Sequence, residues 1–289
     1  MNADTNLIRV KNYISKIPAL PVTVTKILEI CNNPNTSPVD LNRVISVDPV
    51  LMGRVLKLIN SAYYGLSNQV TSLSRAIIML GINTVKNLAL STAVMGSLGP
   101  TGGALNMQGF WRHSLCVGVT SKLIAKARRI PTKELEEYFI AGLLHDMGKI
   151  PLNNTLTEMY IEAMGQSDRE QIPLYLAEKQ ILGYDHCEIG VLIGELWKLG
   201  GGILDTIQYH HQLDNYSGKY IEILQTVVVA NYYANVNEIG FSGNRFPETV
   251  PDEVLNALGI RWELFEEISE DVVREIEKAQ IFLKIAEEG

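Results

Sequence analysis

Leu143-Leu144-His145-Asp146-Met147-Gly148-Lys149 sets a histidine beside an aspartate where an apolar helix runs out. Thr132, after Pro131, is placed to cap that helix, and Gly148 and Pro151 end it, so it reaches His145 or Asp146. Neighbouring residues on an α-helix diverge by about 100°, so both side chains cannot point inward from mid-helix. At a helix end the backbone turns, and two consecutive side chains can converge on one point.

Working outward, the other histidines are His113, His186, His210 and His211, and all five fall between residues 113 and 211. Asp185 and Glu188 have the spacing of a capping box, which starts a helix with His186 in its first turn. Ile189, Ile193 and Trp197 continue its apolar face, and Gly200-Gly201-Gly202 ends it. Ile203, Ile207 and His210 share one stripe, and Leu224, Val228 and Asn231 share another on the helix after it. A single buried histidine is ordinarily a core residue with its hydrogen bonds met. Four helices each presenting one, beside an aspartate, do not read as packing. Imidazole and carboxylate together suit one or two divalent ions, Fe, Mn, Zn or Ni, with Asp146 able to bridge a pair. Helical bundles build such sites from inward side chains of facing helices.

Apolar spacing is helical almost throughout and no period-2 run bounded by turns stands out, so the chain is expected to be all-α. Pro18 and Pro21 precede a helix with Val24, Ile27, Leu28 and Cys31 on one face. Asp48-Pro49 is an N-cap followed by proline at the first helical position, opening a helix to about Ser61. Gly81 stops the helix of Ala76, Ile77 and Leu80, and Asn83 is placed to cap the next. Leu98-Gly99-Pro100-Thr101-Gly102-Gly103 reads as a linker. We therefore expect a helical lobe over residues 1–103 and a second over 104–289. The second ends in an acidic amphipathic helix from about Trp262, with Leu264, Ile268, Val272, Ile276 and Leu283 aligned and packed on that lobe.

Hydrophobic residues make up 46% of the 289, enough for a full core. No apolar run reaches the roughly 20 residues of a bilayer span, and the N-terminus lacks the basic-then-apolar order of a signal peptide. A cytoplasmic protein is the expectation, without membrane partners. Cys31, Cys116 and Cys187 are scattered and form no CxxC pair, so they read as small buried hydrophobes and a thiolate zinc site is not expected. A net charge of −7 argues against nucleic acid as a partner. Arg54, Lys57, Arg75 and Lys86 read as a solvated face, and the polar helix end Asn60, Ser61, Tyr63 and Tyr64 as a contact with the second lobe.

The His145-Asp146 pair in its setting resembles the signature of the HD superfamily of metal-dependent phosphohydrolases. His113, in Trp111-Arg112-His113-Ser114-Leu115, matches that family's first ligand, and His186, His210 and His211 match the further ligands of its two-metal members. The first lobe resembles the HDOD (HD-related output domain) family in four stretches: Ile17-Pro18-Ala19-Leu20-Pro21, 45–50, 55–62 and 76–81. That resemblance implies an HD-like helical bundle behind an N-terminal helical lobe, a role in bacterial signal transduction, and protein partners in a signalling system. Many members of the family have lost the metal ligands, and no common activity unites them. In an active member, Asp146 would bridge the ions, Lys149 would pair with a substrate phosphate, and His211 would be a further ligand or a proton donor. Two departures bear on activity. The superfamily's last ligand is an aspartate where this chain has Asn231, a neutral oxygen donor that cannot act as a base. Members that degrade cyclic di-GMP carry a Gly-Tyr-Pro loop after His-His-Glu, whereas here Gln212 follows His210-His211 and no such triplet occurs.

Overall fold

The computed structural model describes residues 3–31, 33, 35–98 and 103–287. Residues 99–102, most of the expected linker, lie outside them. The described residues contain no strand. The helices of the first segment are α1 (Ala3–Ile14), α2 (Val22–Cys31), α3 (Pro38–Ile45), α4 (Pro49–Ile59), α5 (Leu73–Leu80) and α6 (Ile82–Ser97). The second segment adds α7 (Met107–Ala127), α8 (Leu135–Leu144), α9 (Lys149–Thr155), α10 (Thr157–Glu170), α11 (Leu174–Leu182) and α12 (His186–Leu196). It closes with α13 (Gly202–Tyr209), α14 (Ile221–Val236), α15 (Asp252–Leu258) and α16 (Glu263–Glu287). No single helix among them is long and apolar enough to cross a membrane.

Several helix starts follow from local chemistry. The Asp48 carboxylate accepts the Leu51 N–H at 2.9 Å, and Asp185 and Glu188 form the reciprocal capping box that opens α12. Two starts differ from expectation. The Glu134 N–H donates to the Pro131 carbonyl and the Leu135 N–H to that of Thr132, so a turn occupies 131–134 and α8 begins after it, uncapped by Thr132. α6 follows α5 with Gly81 as the only joint, which places Asn83 inside the first turn rather than at its cap.

The long helix α7 is the axis of the second segment, with α8, α14 and α16 packed around it. Gly118 on α7 faces Phe139 and Gly142 on α8, where a Cβ on either glycine would meet backbone at under 3 Å. That close crossing brings His113 and the end of α8 together. The core runs without a break from the first segment into the second. α16 rests on α7 as expected, and also on α6 and α4, with Phe282 rather than Leu283 in the core. α1 leans on α9, its Tyr13 hydroxyl accepting from the Asn154 side chain at 2.7 Å. Between the segments, buried Tyr63 contacts Phe139 and Phe282 and lies 3.1 Å from the Lys122 Nζ, which is paired with Glu136.

Candidate metal centre

Asp146 lies in the turn between α8 and α9, fully buried, and its two oxygens face different groups. Oδ2 is 3.3 Å from His145 Nε2 and 3.9 Å from His113 Nε2. Oδ1 is 3.2 Å from His186 Nε2 and 3.6 Å from His210 Nε2. His113 comes from α7, His145 from the end of α8, His186 from the first residue of α12 and His210 from the end of α13. The helix end at His145 therefore does what the sequence implies, letting neighbouring side chains meet. Gly148 completes the arrangement: a Cβ there would run into the His186 carbonyl, so only glycine lets this turn touch α12.

The far nitrogens of three of these rings are taken. His145 Nδ1 lies 2.7 Å from the Gly142 carbonyl, and His210 Nδ1 2.9 Å from that of Thr206. His186 Nδ1 is 2.6 Å from the buried Glu178 carboxylate, which also accepts the His186 backbone N–H at 2.9 Å. Each acceptor takes the Nδ1 hydrogen bond and turns Nε2 toward Asp146, the orientation usual for metal-bound histidines. His113 Nε2, His145 Nε2 and Asp146 Oδ1 are buried without any hydrogen-bond partner, a cost of about 1–3 kcal/mol for each such group unless something satisfies it. The donor set of lone pairs around a carboxylate fits a divalent cation, and the ligand atoms of His113, His145 and Asp146 all lie within 4.8 Å of one another.

Electrostatics divide the cluster: burial would lower His210, but Cys187 and Asp146 raise its pKa to about 10. Burial opposes ionisation of Asp146, yet His145 and Lys149 outweigh it and hold the carboxyl well below its usual range. Burial pushes His113 down to about 3 and also lowers His145, keeping both imidazoles neutral and able to ligate. Burial would lower His186 too, but Glu178 overrides it and raises its pKa.

The remaining sequence-predicted residues take other places. Lys149 is buried and its Nζ sits 2.6 Å from Asp146 Oδ2, so it is held by the carboxylate. His211 lies beside His210, ring centroids 4.3 Å apart, but its Nδ1 is bound to Glu248 at 2.6 Å and its ring stacks on Tyr175. Burial and the neighbouring histidines push its pKa well below the ordinary value. Asn231 touches His113, while its own Oδ1 accepts from Asn235 at 2.8 Å. His210, His211, Asn231 and Glu248 line a cavity of about 360 Å³ beside the cluster. Sequence reasoning missed Glu178 and Cys187. Cys187 Sγ lies 3.8 Å from His210 Nε2, and its adjacency to His186 is the one signal that points to it. Glu178 carries no local signal, since its role depends on how the chain turns between α11 and α12.

An all-helical fold whose buried histidines ring an aspartate defines the class of HD-type helical proteins. Residues 17–213 match the HDOD domain, and the chain belongs to that family. It is similar to an HDOD domain protein of unknown function from Geobacter sulfurreducens, with TM-score 0.75 and 26% identity over 97% of this chain and 98% of that one. A candidate phosphohydrolase from Shewanella amazonensis SB2B shares the fold at TM-score 0.67 and 24% identity, over 96% and 98% of the two chains. So does a candidate signal transduction protein from Marinobacter aquaeolei VT8, at TM-score 0.71 and 20% identity, over 99% of this chain and 66% of that one. An uncharacterized protein of Treponema pallidum (strain Nichols) is 28% identical over 222 residues, 77% of this chain, which spans 43% of that protein's length.

Proposed function

We propose that this chain is a regulatory module of bacterial signal transduction, working in the cytoplasm, whose second lobe binds one or two divalent metal ions and whose output is a contact with signalling proteins. The observation that carries the metal is the ring of four Nε2 atoms around Asp146, three of them turned there by acceptors behind the ring. His113, His145, Asp146, His186 and His210 would hold the ions, with Asn231 and His211 at the edge. Two features favour a binding role over turnover. Asn231 supplies no base and is tied to Asn235, and Lys149 is held on Asp146 rather than facing the cavity.

The second reading, a metal-dependent phosphohydrolase or phosphodiesterase, is favoured by the cavity that opens against His210 and His211. A bound divalent ion supplies a water acidified toward neutral pH and a positive charge for a phosphate. In that reading Asp146 positions the ions, His211 passes a proton to or from Glu248, and Lys149 turns from Asp146 to the phosphate.

Elemental analysis of protein purified without chelator or histidine tag, wild type beside the double variant His145→Ala/Asp146→Ala, tests the metal. One or two equivalents of iron, manganese, zinc or nickel in wild type, lost in a variant that keeps its helical circular dichroism, is the expected result. Metal-free wild type would overturn it. Hydrolysis of generic phosphodiesters or nucleotides by the loaded protein, abolished in the variant, would replace the regulatory reading with the second.

A further inference from the structure

We propose that the Oδ1 side of Asp146 forms a mixed nitrogen, oxygen and sulfur site in which Cys187 is a thiolate ligand beside His186 and His210. Such a site takes zinc, cobalt(II) or iron(II) in preference to manganese or magnesium, because a soft sulfur donor selects the softer ions. This rests on the metal centre proposed above and divides it into two unlike halves.

The nitrogen and oxygen donors are spaced as around one tetrahedral ion, with the sulfur next to them. Metal–nitrogen bonds of about 2.0–2.1 Å and metal–sulfur bonds of about 2.3 Å place two nitrogens about 3.3 Å apart, and sulfur about 3.6 Å from each nitrogen. His186 Nε2 and His210 Nε2 are 3.3 Å apart. Cys187 Sγ lies beside the His210 ring, 3.7 Å from Nδ1 and 3.8 Å from Nε2, and joins the set by turning about its own Cα–Cβ bond. Asp146 Oδ1 is 3.2 and 3.6 Å from the two nitrogens. The nitrogen and oxygen separations fit edges of one coordination polyhedron, and hydrogen bonds among the groups leave Asp146 Oδ1 unmet. Two imidazole nitrogens facing each other share at most one proton, and Asp146 Oδ1 is buried with no hydrogen-bond partner. The ligand atoms of His186, Cys187, His210 and His211 all lie within 4.8 Å of one another. Glu178 and the Thr206 carbonyl occupy the far nitrogens of His186 and His210, and the two Nε2 atoms face each other at 3.3 Å. Binding displaces the thiol proton to solvent and leaves the sulfur anion on the ion.

The Oδ2 side differs. His113 and His145 supply only nitrogen there, and Lys149 already donates to Oδ2 at 2.6 Å. That half is the harder and weaker site.

Cobalt(II) distinguishes the two. Full-length protein, stripped with chelator and reloaded with cobalt(II) alone, is expected to show a near-ultraviolet thiolate-to-cobalt charge-transfer band. Cys187→Ser and Cys187→Ala should lose that band, and at least tenfold of the tighter cobalt affinity, while His113 and His145 still bind the ion weakly. X-ray absorption at the zinc edge of zinc-loaded wild type, which needs no variant, should find a sulfur neighbour at about 2.3 Å. Cobalt or zinc bound without sulfur, or a band that persists in both variants, overturns the thiolate site and leaves the proposed metal centre standing. No metal bound by wild type overturns both.

Discussion

Two buried polar clusters sit in this molecule, and they are built on opposite principles. Around Lys122, charge closes on itself: the ammonium pairs with Glu136, donates to Tyr63 and lies 4.5 Å over the Tyr63 ring. Around Asp146, one lysine and four imidazole Nε2 atoms face the carboxylate, and His113 Nε2, His145 Nε2 and Asp146 Oδ1 find no partner. The first cluster leaves one Glu136 oxygen without a partner, while the second leaves those three atoms, a deficit that the proposed cation would meet. Burial and charge alone do not separate a structural network from a binding site. The balance of donors and lone pairs does.

The strongest way to break the comparison is to remove a partner from the closed cluster. Lys122→Met strands the Glu136 carboxylate, which is 3% exposed. Loss of one partner of a buried pair costs about 3–5 kcal/mol, and the partial exposure of Lys122 sets the expectation near the low end. Urea denaturation should show that loss, while metal content per folded molecule stays at the wild-type level. A variant that lost its metal in proportion would show the two clusters to be one.

The open cluster breaks through its supports. Glu178→Gln leaves a hydrogen-bond acceptor but removes the charge behind His186, and such changes behind a ligand typically lower metal affinity 10–100-fold. Competition with a chelating dye measures it. Unchanged affinity would mean that His186 is no ligand.

How much of this could be read from the chain follows the same division. His145-Asp146, the histidine-bearing stripes and the Asp185–Glu188 box are local patterns, and local patterns survive in one dimension. Lys149 seizing Asp146 is nearly local too, three residues on, yet its direction depends on the turn between α8 and α9. Cys187 and the Lys122–Glu136–Tyr63 contact depend on which helices meet, and Glu178 on the turn between α11 and α12, none of which residue spacing encodes. The aligned face expected for the last helix needed only a small shift to Phe282. That α16 also reaches α4 and α6 was invisible, because an amphipathic stripe specifies that it is covered and not by what.

The smallest expected effect sharpens the comparison within the open cluster, because its two sides should answer acid in opposite senses. In chelator-treated protein, folded His113 takes a proton only near pH 3, whereas the unfolded residue does so near 6.5. Between those values the unfolded chain binds the extra proton, so this contribution is intact above pH 6.5 and is lost as pH falls toward 3. His186 is displaced the other way, its folded pKa raised well above 6.5 by Glu178. Its contribution is fully present below pH 6.5 and fades as pH rises through the raised value. Denaturation midpoints at pH 7 and pH 4.5 should therefore fall less on acidification for His113→Gln than for wild type, and more for His186→Gln. Equal slopes in all three proteins would mean that the rings share one environment. The division of Asp146 into two unlike sides would then have no energetic counterpart.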